Sequence, residues 1–322
     1  MLIGDMALSV VGIRSLRKKA YIIAHNFAVA WSGHFIVAKS VITALREAFA
    51  TEPATRSSVE NFFKKHQSSD FGKLHTNFIG WIVENDDQYC FLWNCLYPHE
   101  VFYRDQYFEG TGEQYFTALR DRKSREGGSG LPPNSSFVLS AINQIAQARF
   151  DESIFRETWD LSFGASYDVI VLVNGRFGYV SSIVYIGWDY HWSSTLGTGQ
   201  LEQAPVVIKH TAQGEYSILQ EALHGKLFDG ATRNYLSRPV YDDMLGTNLI
   251  AWDLTLSPKR DFFANYFRFW ENDRVIFKTL LTLQRPSESN SDLKITRHSG
   301  GAYFFDFNTS VLNRIYLEYF GR

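Results

Sequence analysis

The feature that most constrains this chain is a change of apolar period at Ser32-Gly33. Before it, Ala20 to Trp31 (AYIIAHNFAVAW) reads as two short strands hinged near His25-Asn26. After it, Phe35, Ala38, Val41, Ile42, Leu45 and Phe49 recur at helical spacing. A short amphipathic helix follows over Ser57 to Lys65, and the pattern then returns to strands. Phe78 to Val83 and Gln88 to Leu96 flank Asn85-Asp86-Asp87, a hairpin-type turn. A strand pair, two helices and another strand pair must bury one face of a sheet under helices, which sets an α+β class.

Farther along, Val101 to Phe108 alternates as a strand and ends at Gly110-Thr111-Gly112. A helix begins over Glu113 to Arg120, and Asp121 to Pro133 is a charged, then glycine- and proline-rich loop. Asn134 is placed to cap a helix running to about Phe150, and Tyr167 to Val173 with Phe177 to Ile186 forms a hairpin around Asn174-Gly175. The texture changes after Gly187, where Trp188 to Gln203 has no clear period. Beyond it, Ser217 to Leu223 suggests a short helix and Asp261 to Trp270 an aromatic helix or strand. Val275 to Leu283, Leu293 to Thr296, Ala302 to Phe307 and Arg314 to Phe320 read as strands. Two regions are therefore expected, 1–187 and a β-rich accessory extension over 188–322.

Charge and composition exclude several function classes. The 32 basic and 34 acidic residues of this 322-residue chain leave a net charge of −2, which argues against nucleic-acid binding driven by bulk charge. No apolar run reaches the roughly 18 residues of a membrane span. Aromatic residues make up 16% of the chain, which favours β-rich packing. Cys90 and Cys95 lie five apart in one strand-like run and would point to opposite faces, so neither a disulfide nor a metal pair is indicated, and a reducing cytoplasmic setting is expected. The nine histidines show no metal-ligand spacing, so no metal and no cofactor is expected. A G-x-S-x-G elbow is missing too.

The order of elements and three local motifs resemble the proteasome β-subunit group of N-terminal-nucleophile hydrolases. The first motif is Gly4-Asp5-Met6-Ala7-Leu8-Ser9, then Lys18-Lys19, then Phe27-Ala28-Val29-Ala30-Trp31-Ser32-Gly33. The second is Gly110-Thr111-Gly112 after a strand pair, and the third is Asp160, Ser162 and Gly164 ahead of a strand. The resemblance covers about 1–187 and implies a four-layer αββα sandwich. In such proteins a terminal hydroxyl or thiol attacks, with its own α-amino group as base. It further implies Asp5 as orienting acid, Lys19 (or Lys18) as activating cation, Gly33 as oxyanion donor, and Thr111, Asp160 and Ser162 as groups orienting the amino terminus. Homo-oligomeric assembly is implied as well, with a protein or peptide partner.

The family places its nucleophile a dozen or more residues before the acid, whereas Asp5 has four residues ahead of it. Two readings follow. One is a protein without a terminal nucleophile in this form, acting by assembly or binding. The other is a threonine-type peptidase or amidohydrolase whose true first Thr, Ser or Cys lies upstream of Met1. The extension is expected to bury a core of its own or to cover the first region.

Overall fold

The computed structural model describes residues 2–5, 7–9, 13–65, 74–97, 101–103, 142, 145–146, 150, 167–202, 205–222, 232–242, 256–257, 261–284, 292–297 and 303–320. It is a strand-rich α+β structure. The first strands are β1 (Leu2–Asp5), β2 (Ala7–Ser9), β3 (Ile13–Leu16), β4 (Ala20–Ala24) and β5 (Phe27–Gly33). Helices α1 (Phe35–Ala48) and α2 (Arg56–Lys65) follow, then β6 (Thr76–Glu84), β7 (Asp87–Asn94) and β8 (Val101–Tyr103). Strands β4 to β8 form one antiparallel sheet in chain order.

Alternation sends the two faces of this sheet to different partners. Phe27, Val29 and Trp31 of β5 join Phe78, Ile82, Phe91 and Trp93 beneath Val41, Leu45, Val59 and Phe63 of the two helices. The opposite face carries Ala20, Ala28 and Ala30, small enough for a second sheet to approach. That sheet is β1, β9 (Tyr167–Val173) and β10 (Arg176–Tyr179), which contributes Ile170 and Phe177 to the shared core. The Phe177 ring meets Trp81 edge-on at 4.8 Å between centroids. Helix α2 starts at a reciprocal cap: Ser58 N–H donates to Thr55 Oγ1 at 3.0 Å, and Thr55 N–H to Ser58 Oγ at 2.9 Å. Tight hairpins close at Asn85-Asp86, Asn174-Gly175 and Asn272-Asp273, all with positive φ.

The remaining strands are β11 (Ser182–Ser193), β12 (Thr198–Leu201), β13 (Val206–Gln213), β14 (Tyr216–Ala222), β15 (Thr232–Ser237), β16 (Phe262–Glu271), β17 (Arg274–Gln284), β18 (Leu293–Arg297) and β19 (Tyr303–Phe307), followed by helix α3 (Thr309–Phe320). A seven-stranded sheet runs β15-β14-β13-β11-β16-β17, with β12 also on β11, and the β11–β16 pair is parallel. One face of it packs Val184, Ile186, Trp188, Phe263 and Phe267 against the β18–β19 hairpin and α3. The other packs Ile183, Tyr185, Ile208, Leu219 and Tyr266 against Tyr167 and Val169 of β9 and the helical residues Ile142, Ile145, Ala146 and Phe150.

Three expectations change. Within the expected helix Ser217 to Leu223, residues 217–222 lie in strand β14, because they are hydrogen-bonded on both sides, to β13 and β15. Arg314 to Phe320 belongs to α3, whose buried residues Leu312 and Tyr316 share a helical face. Within Trp188 to Gln203, residues 188–193 end β11 and residues 198–201 form β12. Gly187, where the texture changes, sits inside β11. A side chain there would meet the Phe150 ring 2.6 Å from its Cβ, so that glycine answers a packing need in mid-strand.

Candidate functional site

The alternation that builds the inter-sheet core also selects between the two lysines ahead of β4. Lys18 shares the parity of Ala20 and Ile22, which face β9 and β10, whereas Lys19 shares that of Tyr21, which faces the helices. Lys18 is accordingly buried between the sheets, and its Nζ lies 3.5 Å from Asp168 Oδ2. Lys19 is partly exposed, with its Nζ 5.8 Å from the centre of the Trp31 ring.

Asp168 is the one acid in the apolar strand YDVIVLV of β9, on the inward parity of Ile170. Its Oδ1 accepts a 2.6 Å hydrogen bond from Ser217 Oγ and lies 3.4 Å from His210 Nε2. Lys18 Nζ also donates to Ser217 Oγ at 3.3 Å. Lys18, Asp168, Ser217 and His210 are 0%, 0%, 1% and 2% exposed, so the quartet is sealed from bulk water. Lys18 Nζ sits 3.9 Å from the centre of the Tyr179 ring, a cation–π contact in a dry setting.

The backbone around Lys18 is fixed with equal care. Its carbonyl accepts from Tyr21 Oη at 2.7 Å and from Trp31 Nε1 at 3.2 Å, and its N–H donates to the Arg238 carbonyl at 2.8 Å. Tyr21 Oη in turn accepts from Val240 N–H at 2.8 Å. Beside the quartet, Arg46 pairs with both Glu215 oxygens at 2.9 Å, and Tyr241 donates to the same carboxylate.

Burial pushes the Lys18 ammonium below the usual lysine range, and the charges of Asp168 and Glu215 offset part of that effect. Burial alone would raise the Asp168 carboxyl. The His210 ring, the Lys18 charge and the Ser217 hydroxyl outweigh it and hold Asp168 below the ordinary aspartate range. Burial, with the Asp168 charge behind it, drives the Tyr179 hydroxyl far up, so the ring over Lys18 stays neutral.

The sequence-derived candidates distribute unevenly over this geometry. Asp5 ends β1 and pairs in register with Tyr167, while Gly4 pairs with Asp168. Gly33 ends β5 in an exposed position at φ +109°, paired with Thr76. Thr111, Asp160 and Ser162 lie outside the described residues. The structure thus gathers Lys18 with three residues that spacing did not single out, Asp168, Ser217 and His210. An acid at an inward position of an apolar strand was the available signal for Asp168. Ser217 and His210 arrive through tertiary packing and left none.

Chemically, the quartet neutralises a buried amine and holds a serine hydroxyl by a charge-assisted bond. Among the described residues no group of three or more His, Cys, Asp or Glu is placed to hold a metal ion. Nor, among them, is any helix long and apolar enough to cross a membrane. No protein-family model matches the chain, and no curated protein matches it significantly.

Proposed function

We propose that residues 1–187 form a proteasome-like N-terminal-nucleophile fold, a four-layer αββα sandwich, and that the chain acts through assembly or binding without catalysing a reaction itself. The layers α1 and α2, the five-stranded sheet, the β1-β9-β10 sheet and the helical residues Ile142, Ile145, Ala146 and Phe150 support the fold in that order. The observation that carries the function is the enclosure of Lys18. The cation best placed between the sheets is saturated by Asp168, Ser217 and the Tyr179 ring, and no part of it is exposed. A lysine in that state stabilises the core and has no open face for a substrate. Homo-oligomeric assembly and a cytoplasmic setting complete the reading, the latter in keeping with Cys90 and Cys95 standing as thiols.

The test is to purify the protein expressed from its own locus with the sequence upstream of Met1 retained, incubate it with a β-lactone probe, read intact mass, and measure oligomeric state by light scattering. The expected result is an unmodified chain in a defined homo-oligomer. A stoichiometric acyl adduct would overturn the non-catalytic reading. It would favour a second one, a threonine-type peptidase or amidohydrolase with its nucleophile supplied ahead of Met1. One observation speaks for that alternative: the Lys18–Asp168 ion pair lies between the two sheets, where the resemblance requires an oriented cation.

A further inference from the structure

We propose that Asp168 is a proton-sensitive clasp fastening the seven-stranded sheet to the inter-sheet core, closed while the carboxylate is charged and released when it takes a proton. This inference is independent of the catalytic question, because it concerns how two halves of the molecule hold each other.

The geometry is specific to a clasp. Lys18 enters from the segment before β4, Asp168 from β9, and His210 and Ser217 from β13 and β14. One carboxylate therefore accepts a hydrogen bond from Ser217 and lies within ion-pair distance of Lys18 and His210, three groups on three separate strands or segments. Among the described residues, the groups facing it are Lys18, His210 and Ser217, with the Tyr179 and Tyr21 rings neutral around it. Glu215, whose charge also reaches Lys18, is engaged by Arg46 and Tyr241. No second carboxylate in this set stands ready to take over Asp168's role.

Adding a proton to Asp168 Oδ2 removes the negative charge that, among the described residues, is in direct contact with Lys18, and leaves that ammonium buried without this counter-ion. It also weakens the short bond from Ser217, whose strength depends on a charged acceptor. A group held below its ordinary range in the folded state contributes stability above its unfolded value, and that stability is lost as pH falls through the folded value. Opening linked to uptake of one proton grows about tenfold per pH unit in that window.

Hydrogen exchange on the full chain tests this, read by mass spectrometry over a descending pH series and corrected for intrinsic exchange. The expected result is that peptides from β13 and β14 lose protection about tenfold per pH unit in acid, while those from β5 to β7 keep theirs. Asp168→Asn should abolish the slope and hold β13 and β14 at the open level throughout. If Asp168→Asn does not fold, the comparison within the wild-type chain still decides. A uniform loss of protection across all strands, or no slope in β13 and β14, would overturn the clasp. His210→Gln identifies the titrating group: a retained acid slope supports Asp168, and a vanished slope assigns the proton to His210 and refutes the proposal.

Discussion

Replacing Lys18 with methionine keeps the length of the stem and removes only the ammonium. Asp168 then remains fully enclosed, with the Ser217 hydroxyl and the His210 ring as its contacts. Breaking a buried ion pair from one side costs about 3–5 kcal/mol, because the surviving charge is left without its partner. At a urea slope of about 3 kcal/mol per molar, that loss lowers the unfolding midpoint by ~1 to 1.7 M. Lys19→Met is the internal control, since Lys19 is partly exposed and its contact with the Trp31 ring is worth only ~0.5–1 kcal/mol. Adding Asp168→Leu to Lys18→Met should recover much of the loss, as apolar replacement of both partners removes the stranded charge. Urea unfolding followed by tryptophan fluorescence reads all three variants. Equal losses for Lys18→Met and Lys19→Met, or no recovery in the double variant, would refute the assignment of Lys18 to the buried pair.

Gly33→Ala should lower the thermal midpoint, at a cost of ~1–3 kcal/mol for a strained backbone position; its φ is +109° and a new Cβ would lie 2.4 Å from the His75 carbonyl oxygen. An unchanged midpoint in calorimetry would show that the backbone relaxes there. Asn26→Ala strips both bonds to Ala54 and one to Val83 from a buried side chain, and each orphaned group costs roughly 1–3 kcal/mol. Chemical denaturation showing less than ~0.5 kcal/mol would mean that water replaces the amide, an outcome contrary to its burial. A fragment ending at Gly187 cuts β11 and removes His210 and Ser217, so it should bind a hydrophobic dye and lack a cooperative transition. A fragment that unfolds cooperatively would refute the dependence of the inter-sheet core on the seven-stranded sheet.

The first region was legible because its local signals agree with its packing. Strands β4 and β5 alternate between an alanine face and an aromatic face, and α1 keeps one apolar stripe over the latter. Asn85-Asp86 demands the positive φ that a tight hairpin supplies. The later region was harder because pairing overrides local preference. Ile218, Leu219 and Ala222 mimic a helical stripe, yet β14 is held on both edges. In α3 the run RIYLEYF alternates like a strand. The decisive cue was Asn308, whose Oδ1 accepts from the Ser310 N–H and caps the helix. At the site, parity alone favours Lys18 over Lys19 for the inter-sheet face, and the inward acid of β9 could be read the same way. Ser217 and His210 could not, since they reach Asp168 from strands about fifty residues or less downstream in sequence, through contacts that no local pattern encodes.

Strand β11 explains why such a contact became necessary. The chain leaves β10 at Tyr179 and enters β11 at Ser182, so two sheets share a covalent join of two residues. From there β11 sends Ile183 and Tyr185 toward β9, and Val184, Ile186 and Trp188 toward α3. Held by that join and apolar contact alone, the seven-stranded sheet could pivot. Apolar packing against Val169 resists the pivot without fixing its angle, because hydrophobic contact has no direction. A carboxylate that must meet an amine, a hydroxyl and an imidazole at once does have direction. The buried quartet, together with the Arg46–Glu215 pair and the Lys18 N–H bond to the Arg238 carbonyl, therefore sets the orientation of the two sheets.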